Sequence, residues 1–311
     1  MGLTPDCQPI HSIFRWSSMN TRPRGALRIQ ASRSESVVDT LAVEAPLQVN
    51  INGRPWTTTM RTPGDDPFLV RGMLFSEGLL TDPAAELGWQ PFDDPESGHI
   101  AAVDLTVAES ALNQPFEDRR AQMSVSSCGL CGIRQWRDLF PGDFSPRLNG
   151  QIQLAADLIP AAMADLHHGM RAFGESGGCH GAAAYTARGR RLALFEDIGR
   201  HNAVDKVIGS LLSRDQLHLA VLLAVSGRIS YEIVFKAFRA RLPVLAAVSA
   251  PSSMAVEMAD AFGLTVLGFC RDTRLTVYSH PERIKAQAQP RSRTARRRAA
   301  APAPAGRRDQ P

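Results

Sequence analysis

Two thiols three residues apart carry the most suggestive chemistry in this chain. They sit in Ser126-Ser127-Cys128-Gly129-Leu130-Cys131-Gly132, among glycines and small residues with little helix or strand character. Such surroundings suit a backbone that bends freely or comes close to something. An accessible thiolate there is a nucleophile, a sulfur carrier, a redox partner or half a metal site. A structural zinc ion needs four ligands, and Cys128, Cys131, Cys179 and His180 would have to supply them, although an adjacent Cys and His rarely both reach one tetrahedral ion. Thioredoxin-like exchange wants the pair at a helix N-terminus within a βαβ unit, and no strand pattern precedes this one. An inert loop is the third reading. A persulfide-bearing thiol on a mobile arm fits best, because it must reach a donor, swing back and deliver. Cys7 lies in an irregular N-terminal stretch and Cys270 ends a strand pattern; both read as incidental.

The flanking elements fall into two groups. Residues 1–36 read as a disordered arm. In 37–122 we expect a small α+β domain. There Leu47, Val49 and Ile51 alternate with polar residues, Asn52-Gly53 makes a hairpin turn, and Trp56 to Met60 returns. Thr62-Pro63-Gly64-Asp65-Asp66 predicts a turn ending in an N-cap, and Phe68, Leu69, Met73 and Leu74 follow at helical spacing. Ile100 to Val107 is a further strand. Residues 123–150 form the mobile CxxC loop and linker. In 151–283 we expect an α/β domain. Its predicted parts are a helix over Leu154–Arg171, a hairpin pairing Ala182–Tyr185 with Arg191–Phe195, and a helix near Asn202–Leu212. Three apolar strands follow, His218–Val225, Val244–Val248 and Leu264–Phe269, alternating with helices over Ile229–Arg241 and Ser252–Phe262. That order is βαβαβ, hence a parallel sheet with right-handed crossovers.

Ligands of open α/β sheets bind beyond the carboxyl ends of the strands, at helix N-termini. Those junctions are polar here: Glu196 to Lys206, Ser226 to Glu232, Ser249 to Ser253 and Cys270 to Arg274 should share one rim. Gly174-Glu175-Ser176-Gly177-Gly178-Cys179-His180-Gly181 could present consecutive N–H groups to an anion. Arg200, Arg228, Arg271 and Arg274 offer guanidinium forks suited to phosphate. A nucleotide-like ligand is the expectation; His180 and His201 as structural histidines, and Glu196, Asp197 and Glu232 as helix caps or ion-pair partners, are the plain alternatives. The order of elements also invites comparison with zinc-dependent nucleobase deaminases. Their H-x-E and P-C-x-x-C motifs are replaced by Arg200-His201-Asn202 and Ser226-Gly227-Arg228, so the zinc and the deamination chemistry would be gone.

Composition narrows the classes. With 44% hydrophobic and 21% charged residues the chain is ordinarily globular. Five cysteines, an odd number spread along the sequence, do not make a secreted disulfide framework. The apolar run Leu217–Val225 is too short to span a bilayer, and the N-terminus lacks a signal-peptide core. Cytoplasm is the expectation. Net charge is +4, but Lys285–Pro311 sets eight basic residues against Asp309, a net of +7, which leaves −3 for the rest. The basicity thus belongs to a disordered Ala/Pro/Arg tail from 284 onward, and neither nucleic acid nor membrane is expected as a partner.

Longer strings are more specific than the CxxC. Cys128-Gly-Leu-Cys131-Gly, Glu196-Asp-Ile-Gly-Arg-His-Asn-Ala-Val-Asp-Lys206 and Ser226-Gly-Arg-Ile-Ser-Tyr-Glu232 closely resemble the FdhD family, the sulfur carrier needed for formate dehydrogenase. Arg61-Thr-Pro-Gly-Asp-Asp66, Phe75-Ser-Glu-Gly78, Ala247-Val-Ser-Ala250 and Leu-Gly-Phe-Cys-Arg271 match as well, so the resemblance spans roughly residues 37–283. It implies a cytidine-deaminase-like three-layer domain without the zinc site, a small N-terminal domain, and a homodimer. It also implies that a cysteine desulfurase passes sulfur to Cys128, with Cys131 assisting by exchange. The sulfur then goes to the molybdenum of a bis-molybdopterin guanine dinucleotide destined for formate dehydrogenase. The family's cofactor segment falls on Phe269, Cys270, Arg271, Asp272, Thr273 and Arg274. Beside it, Gly177, Gly178, His180, Arg200, His201, Ser226 and Arg228 are the expected phosphate-side contacts, with Arg271 and Arg274 at a guanine end. The family's TGG-x-H is Ser176-Gly-Gly-Cys-His180 here, which adds a thiol. A cofactor-delivering chaperone in which the CxxC is structural is the alternative.

Overall fold

The computed structural model describes residues 20–113, 148, 152–272 and 274–285. The chain opens with β1 (Thr21–Gln30) and β2 (Arg33–Ala42), an antiparallel hairpin. This corrects the expected irregular arm to residue 36. The register explains the strand: Thr21, Pro23, Gly25, Leu27 and Ile29 share an uncharged face with Ser34, Ser36, Val38, Thr40 and Ala42, and the arginines lie on the other face. Scattered arginines, Pro23 and Gly25 mask that alternation in the sequence.

A four-stranded sheet ordered β4-β3-β6-β5 follows, from β3 (Ala45–Ile51), β4 (Arg54–Arg61), β5 (Gly88–Asp93) and β6 (Ile100–Thr106), with α1 (Asp66–Ser76) between β4 and β5. Asn52 and Gly53 take positive φ of 50° and 74° at the expected hairpin turn. Leu47, Val49, Ile51, Val103 and Leu105 bury one sheet face against Leu69, Val70, Met73 and Leu74 of α1. The expected N-cap is absent: Asp65 makes no side-chain cap, and Asp66 instead forms a buried ion pair with Arg61 at 2.8 Å.

The second half holds β7 (Leu154–Ala155), α2 (Leu158–Gly169), α3 (Arg171–Ser176), β8 (His180–Tyr185), β9 (Arg191–Asp197) and α4 (Arg200–Ser213). After these come β10 (Leu222–Val225), α5 (Tyr231–Arg239), β11 (Val244–Ala247), α6 (Ser253–Phe262), β12 (Thr265–Arg271), β13 (Arg274–Val277) and β14 (Ile284–Lys285). The single helix expected over 154–171 is thus a short strand and two helices. Ile284 and Lys285, expected in the tail, pair with Leu154 and Ala155. Six strands make one sheet, ordered β13-β12-β11-β10-β8-β9, with β10, β11 and β12 parallel. Ala182, Ala184, Leu223, Leu245 and Val266 face α4, α5 and α6, while Ala183, Leu222, Val244, Ala246 and Leu267 face α2. Burial on both faces is why these strands read as continuous apolar runs. No described helix is long and apolar enough to cross a membrane.

The two halves meet where α1 crosses α4. Gly72 lies against the Asp205 carbonyl and Gly209 against that of Phe68, so a methyl at either position would overlap backbone. Gly209→Ala should gain about 1 kcal/mol of helix propensity yet lose more by overpacking, for a net loss of about 1–3 kcal/mol. A urea midpoint equal to or above that of the parent would contradict this contact.

Candidate functional site

The signature 196–206 runs from the end of β9 into α4, and four of its polar side chains, Asp197, Asn202, Asp205 and Lys206, are spent on holding the two halves together. Glu196 accepts from the backbone N–H groups of Ala172 and Phe173 at the start of α3, at 2.9 and 2.8 Å. Asp197, fully buried, meets Lys206 at 2.8 Å and accepts from Thr62 N–H, Gly199 N–H and the Asn202 amide. Burial pushes its carboxyl up, and Lys206, Gly199 and Asn202 pull it back. Lys206 also donates to the Thr62 carbonyl, and Asn202 to that of Met60. Asp205 takes Lys236 at 2.7 Å and the Ser76 hydroxyl at 2.9 Å. These contacts were not legible in advance, because a charged letter does not say whether it faces solvent or a buried counter-ion.

Arg200 and His201 remain. They occupy the first turn of α4, behind an uncapped Gly199, where the helix dipole favours anions rather than cations. A guanidinium there is unfavourable unless something negative approaches. His201 is paired with Glu232 at 2.9 Å; burial alone would raise the Glu232 carboxyl, but His201, Ser230 and Arg200 together hold it below its usual range. Arg200 keeps its buried Nε without a partner among the described residues. Its stem and the His180 Nδ1 flank Gly227, each within 3.5 Å of where a Cβ would stand, so Gly227 lets the two side chains converge. Ser226 accepts the Gly181 N–H at 2.9 Å, tying this turn to the start of β8. Burial first, then Arg200, His201 and Arg228, lower the His180 pKa, so its ring is neutral near pH 7.

The expected Gly-rich nest does not form. Gly174 and Gly177 donate to Met170 and Phe173 carbonyls, Gly178 to the Ser176 hydroxyl and Gly181 to Ser226. Gly174, Glu175 and Ser176 close the short α3, and the glycine N–H groups are already used. Gly178 instead packs against Ala42 at the foot of the β1–β2 hairpin.

On the same rim β12 ends at Arg271 and its antiparallel neighbour β13 starts at Arg274, with a register shift between Gly268 and Arg271. Phe269 sits at φ 53° and Asp272 at φ 51°, a costly backbone for a bulky aromatic. The Arg274 guanidinium lies 5.6 Å over the Phe269 ring, and Arg271 Nε donates to the Val248 carbonyl at 3.3 Å. Thr273 lies outside the described residues, as do Cys128 and Cys131. None of Arg200, Arg228, Arg271 and Arg274 forms an ion pair among the described residues.

The two described cysteines are poor nucleophiles. Cys179 is 3% exposed, lies 3.9 Å from the Thr62 hydroxyl, and has its thiol pushed up by burial, with Glu196 and Asp197 adding to the effect. Cys270 is 1% exposed, and burial raises it to about 11. Both should resist iodoacetamide in the native protein and react once urea unfolds it; prompt native alkylation of either would contradict this packing.

A model of the FdhD/NarQ family matches residues 42–285. The Sulfur carrier protein FdhD of Mycobacterium tuberculosis is 39% identical over 277 residues, covering 85% of this chain and 98% of its own. The protein of the same name from Saccharolobus solfataricus is 36% identical over 263 residues, covering 83% of this chain and 96% of its own. Among solved structures, a protein of Desulfotalea psychrophila described as a formate dehydrogenase accessory protein superposes with a TM-score of 0.66, over 86% of this chain and 100% of its own, at 21% identity. The family match and the relatives together cover both halves of the fold and every element that builds the rim: this chain belongs to the FdhD/NarQ family.

Proposed function

We propose that this chain is a sulfur carrier in formate dehydrogenase maturation, taking persulfide sulfur from a cysteine desulfurase and delivering it to a bis-molybdopterin guanine dinucleotide bound at the rim. The relatives' name, sulfur carrier protein, supports the class of reaction. The observation that carries the reading is the rim itself: four guanidiniums outside any described ion pair and a neutral imidazole, with Arg200 at the N-terminus of α4, an end that favours negative charge. Pyrophosphates and guanine ends suit such a surface. The reading includes a cytoplasmic homodimer.

With Cys179 and Cys270 buried, sulfur falls to Cys128, and Cys131 has a defined part. Its thiol attacks the Cys128 sulfur of Cys128–S–SH, forms a Cys128–Cys131 disulfide and releases hydrosulfide, so the dithiol supplies both electrons. Asn113 and Leu148 flank the loop: Asn113 donates to the Gly78 carbonyl, and Leu148 is bound by Phe262 and Arg283. Leu148 lies at the end of the large sheet opposite the rim, beside the C-terminus of α6, and Asn113 lies beside the C-terminus of α1. Cys128 is 15 residues from Asn113, about 50 Å of extended chain, while β12 is about 23 Å long. The reach is ample. Incubation with desulfurase and cysteine should add 32 Da to the peptide holding residues 126–132; added mass only on peptides with Cys179 or Cys270 would sink the assignment.

Anion binding supplies a pH test. An anion beside His180 favours its protonated form, so binding takes up a proton and strengthens as pH falls through the bound-state pKa. Inorganic pyrophosphate should therefore bind several-fold tighter at pH 6 than at pH 8, and His180→Ala should flatten that dependence. Identical profiles for both proteins would remove His180 from the site.

A further inference from the structure

A second basic site lies along the side of the large sheet, apart from the rim. β9 is its outermost strand, so one backbone edge has no neighbouring strand among the described residues. From Arg191 to Phe195 that strand lines an open cleft of about 470 Å³, shared with Asp165 and His168 of α2, Arg171 of α3 and Arg214 just past α4. Four basic side chains thus come from four elements. Asp165 is the cleft's lone acidic residue, and its carboxylate is engaged by Arg191 at 3.1 Å and by the Tyr185 hydroxyl at 2.9 Å. Arg171 and Arg214 have no carboxylate partner among the described residues. Arg214 instead lies 5.6 Å over the Phe68 ring, which itself packs edge-on against Phe195. A net charge of −3 outside the tail makes this concentration a local feature rather than a general excess.

Arginine on an edge strand ordinarily keeps other strands away, and Arg191 alone would serve for that. Arg171 and Arg214 are not on the edge. They stand on either side of it, leaving a groove with backbone groups at its base and cations on its walls. We propose that this groove takes an extended acidic segment of a partner protein, added as a seventh strand outside β9. Its carboxylates would lie toward Arg171 and Arg214.

A fluorescein-labelled hexaglutamate peptide, titrated into the full chain at low salt and followed by anisotropy, tests this. Saturable binding should weaken at least tenfold in Arg171→Glu/Arg214→Glu, both exposed positions, with the far-ultraviolet circular dichroism unchanged. The same peptide with alternate backbone amides N-methylated should also bind at least tenfold more weakly, because it cannot complete a ladder. Absent binding, or binding that survives the charge reversal (as capture by the basic tail would), overturns the proposal. So does equal affinity for the methylated peptide, or displacement by micromolar inorganic phosphate, either of which would mark a small-anion site.

Discussion

Cys128→Ala/Cys131→Ala should reduce sulfur loading from one atom per chain to background, and co-produced formate dehydrogenase should lose its activity with it. Cys179 and Cys270 cannot compensate: a thiol that is 3% or 1% exposed and held above its ordinary pKa gives little thiolate and admits no donor enzyme. Single substitutions should differ. Cys128→Ala abolishes loading, whereas Cys131→Ala accepts sulfur and releases it slowly, because the resolving thiol is gone. Pyrophosphate binding at the rim should be unchanged in all three variants. Active enzyme produced alongside the double variant would instead support a delivery chaperone, for which the rim alone suffices.

Lys206→Ala should cost about 3–5 kcal/mol, the range for removing one partner of a buried ion pair. The reason is geometric. Asp197 is fully buried, 2.8 Å from the Lys206 ammonium, and that ammonium also satisfies the Thr62 carbonyl across the seam. Removing it strands a carboxylate and an acceptor together. Thermal unfolding should fall by on the order of 10 °C. Asp197→Asn/Lys206→Met should recover part of the loss, because no lone charge stays inside. A Lys206→Ala protein within 1 kcal/mol of the parent would mean that Asp197 is protonated or hydrated in the fold.

The contrast between these variants shows how far the amino-acid string could be read. The parallel strands, the Asn52-Gly53 turn and the gathering of polar junctions on one rim follow from periodicity and turn chemistry, which are local. β1–β2, β5 and β13 did not announce themselves. Arginines and Pro23 interrupt the first, Pro91 sits in the second, and the third is a four-residue return whose hairpin was legible only as a cofactor segment. The signature at 196–206 is the sharper case. Its eleven residues look like one binding motif, yet Asp197, Asn202, Asp205 and Lys206 are consumed by the joint between the halves. Arg200 and His201 are left at the rim. Only burial separates the two groups, and burial is a property of the assembled chain. Gly177 and Gly178 fail as an anion cradle for a related reason: a run of small residues can wind into a helix end as readily as into an open nest.

The contacts that hold Leu148 have a logistical consequence. Because the proposed carrier segment is rooted on its Leu148 side at the floor of the molecule while its recipient is expected at the ceiling, donor and recipient can approach from opposite directions. Loading would then require no eviction of whatever waits above, and a chain already holding its passenger could still be served by the desulfurase.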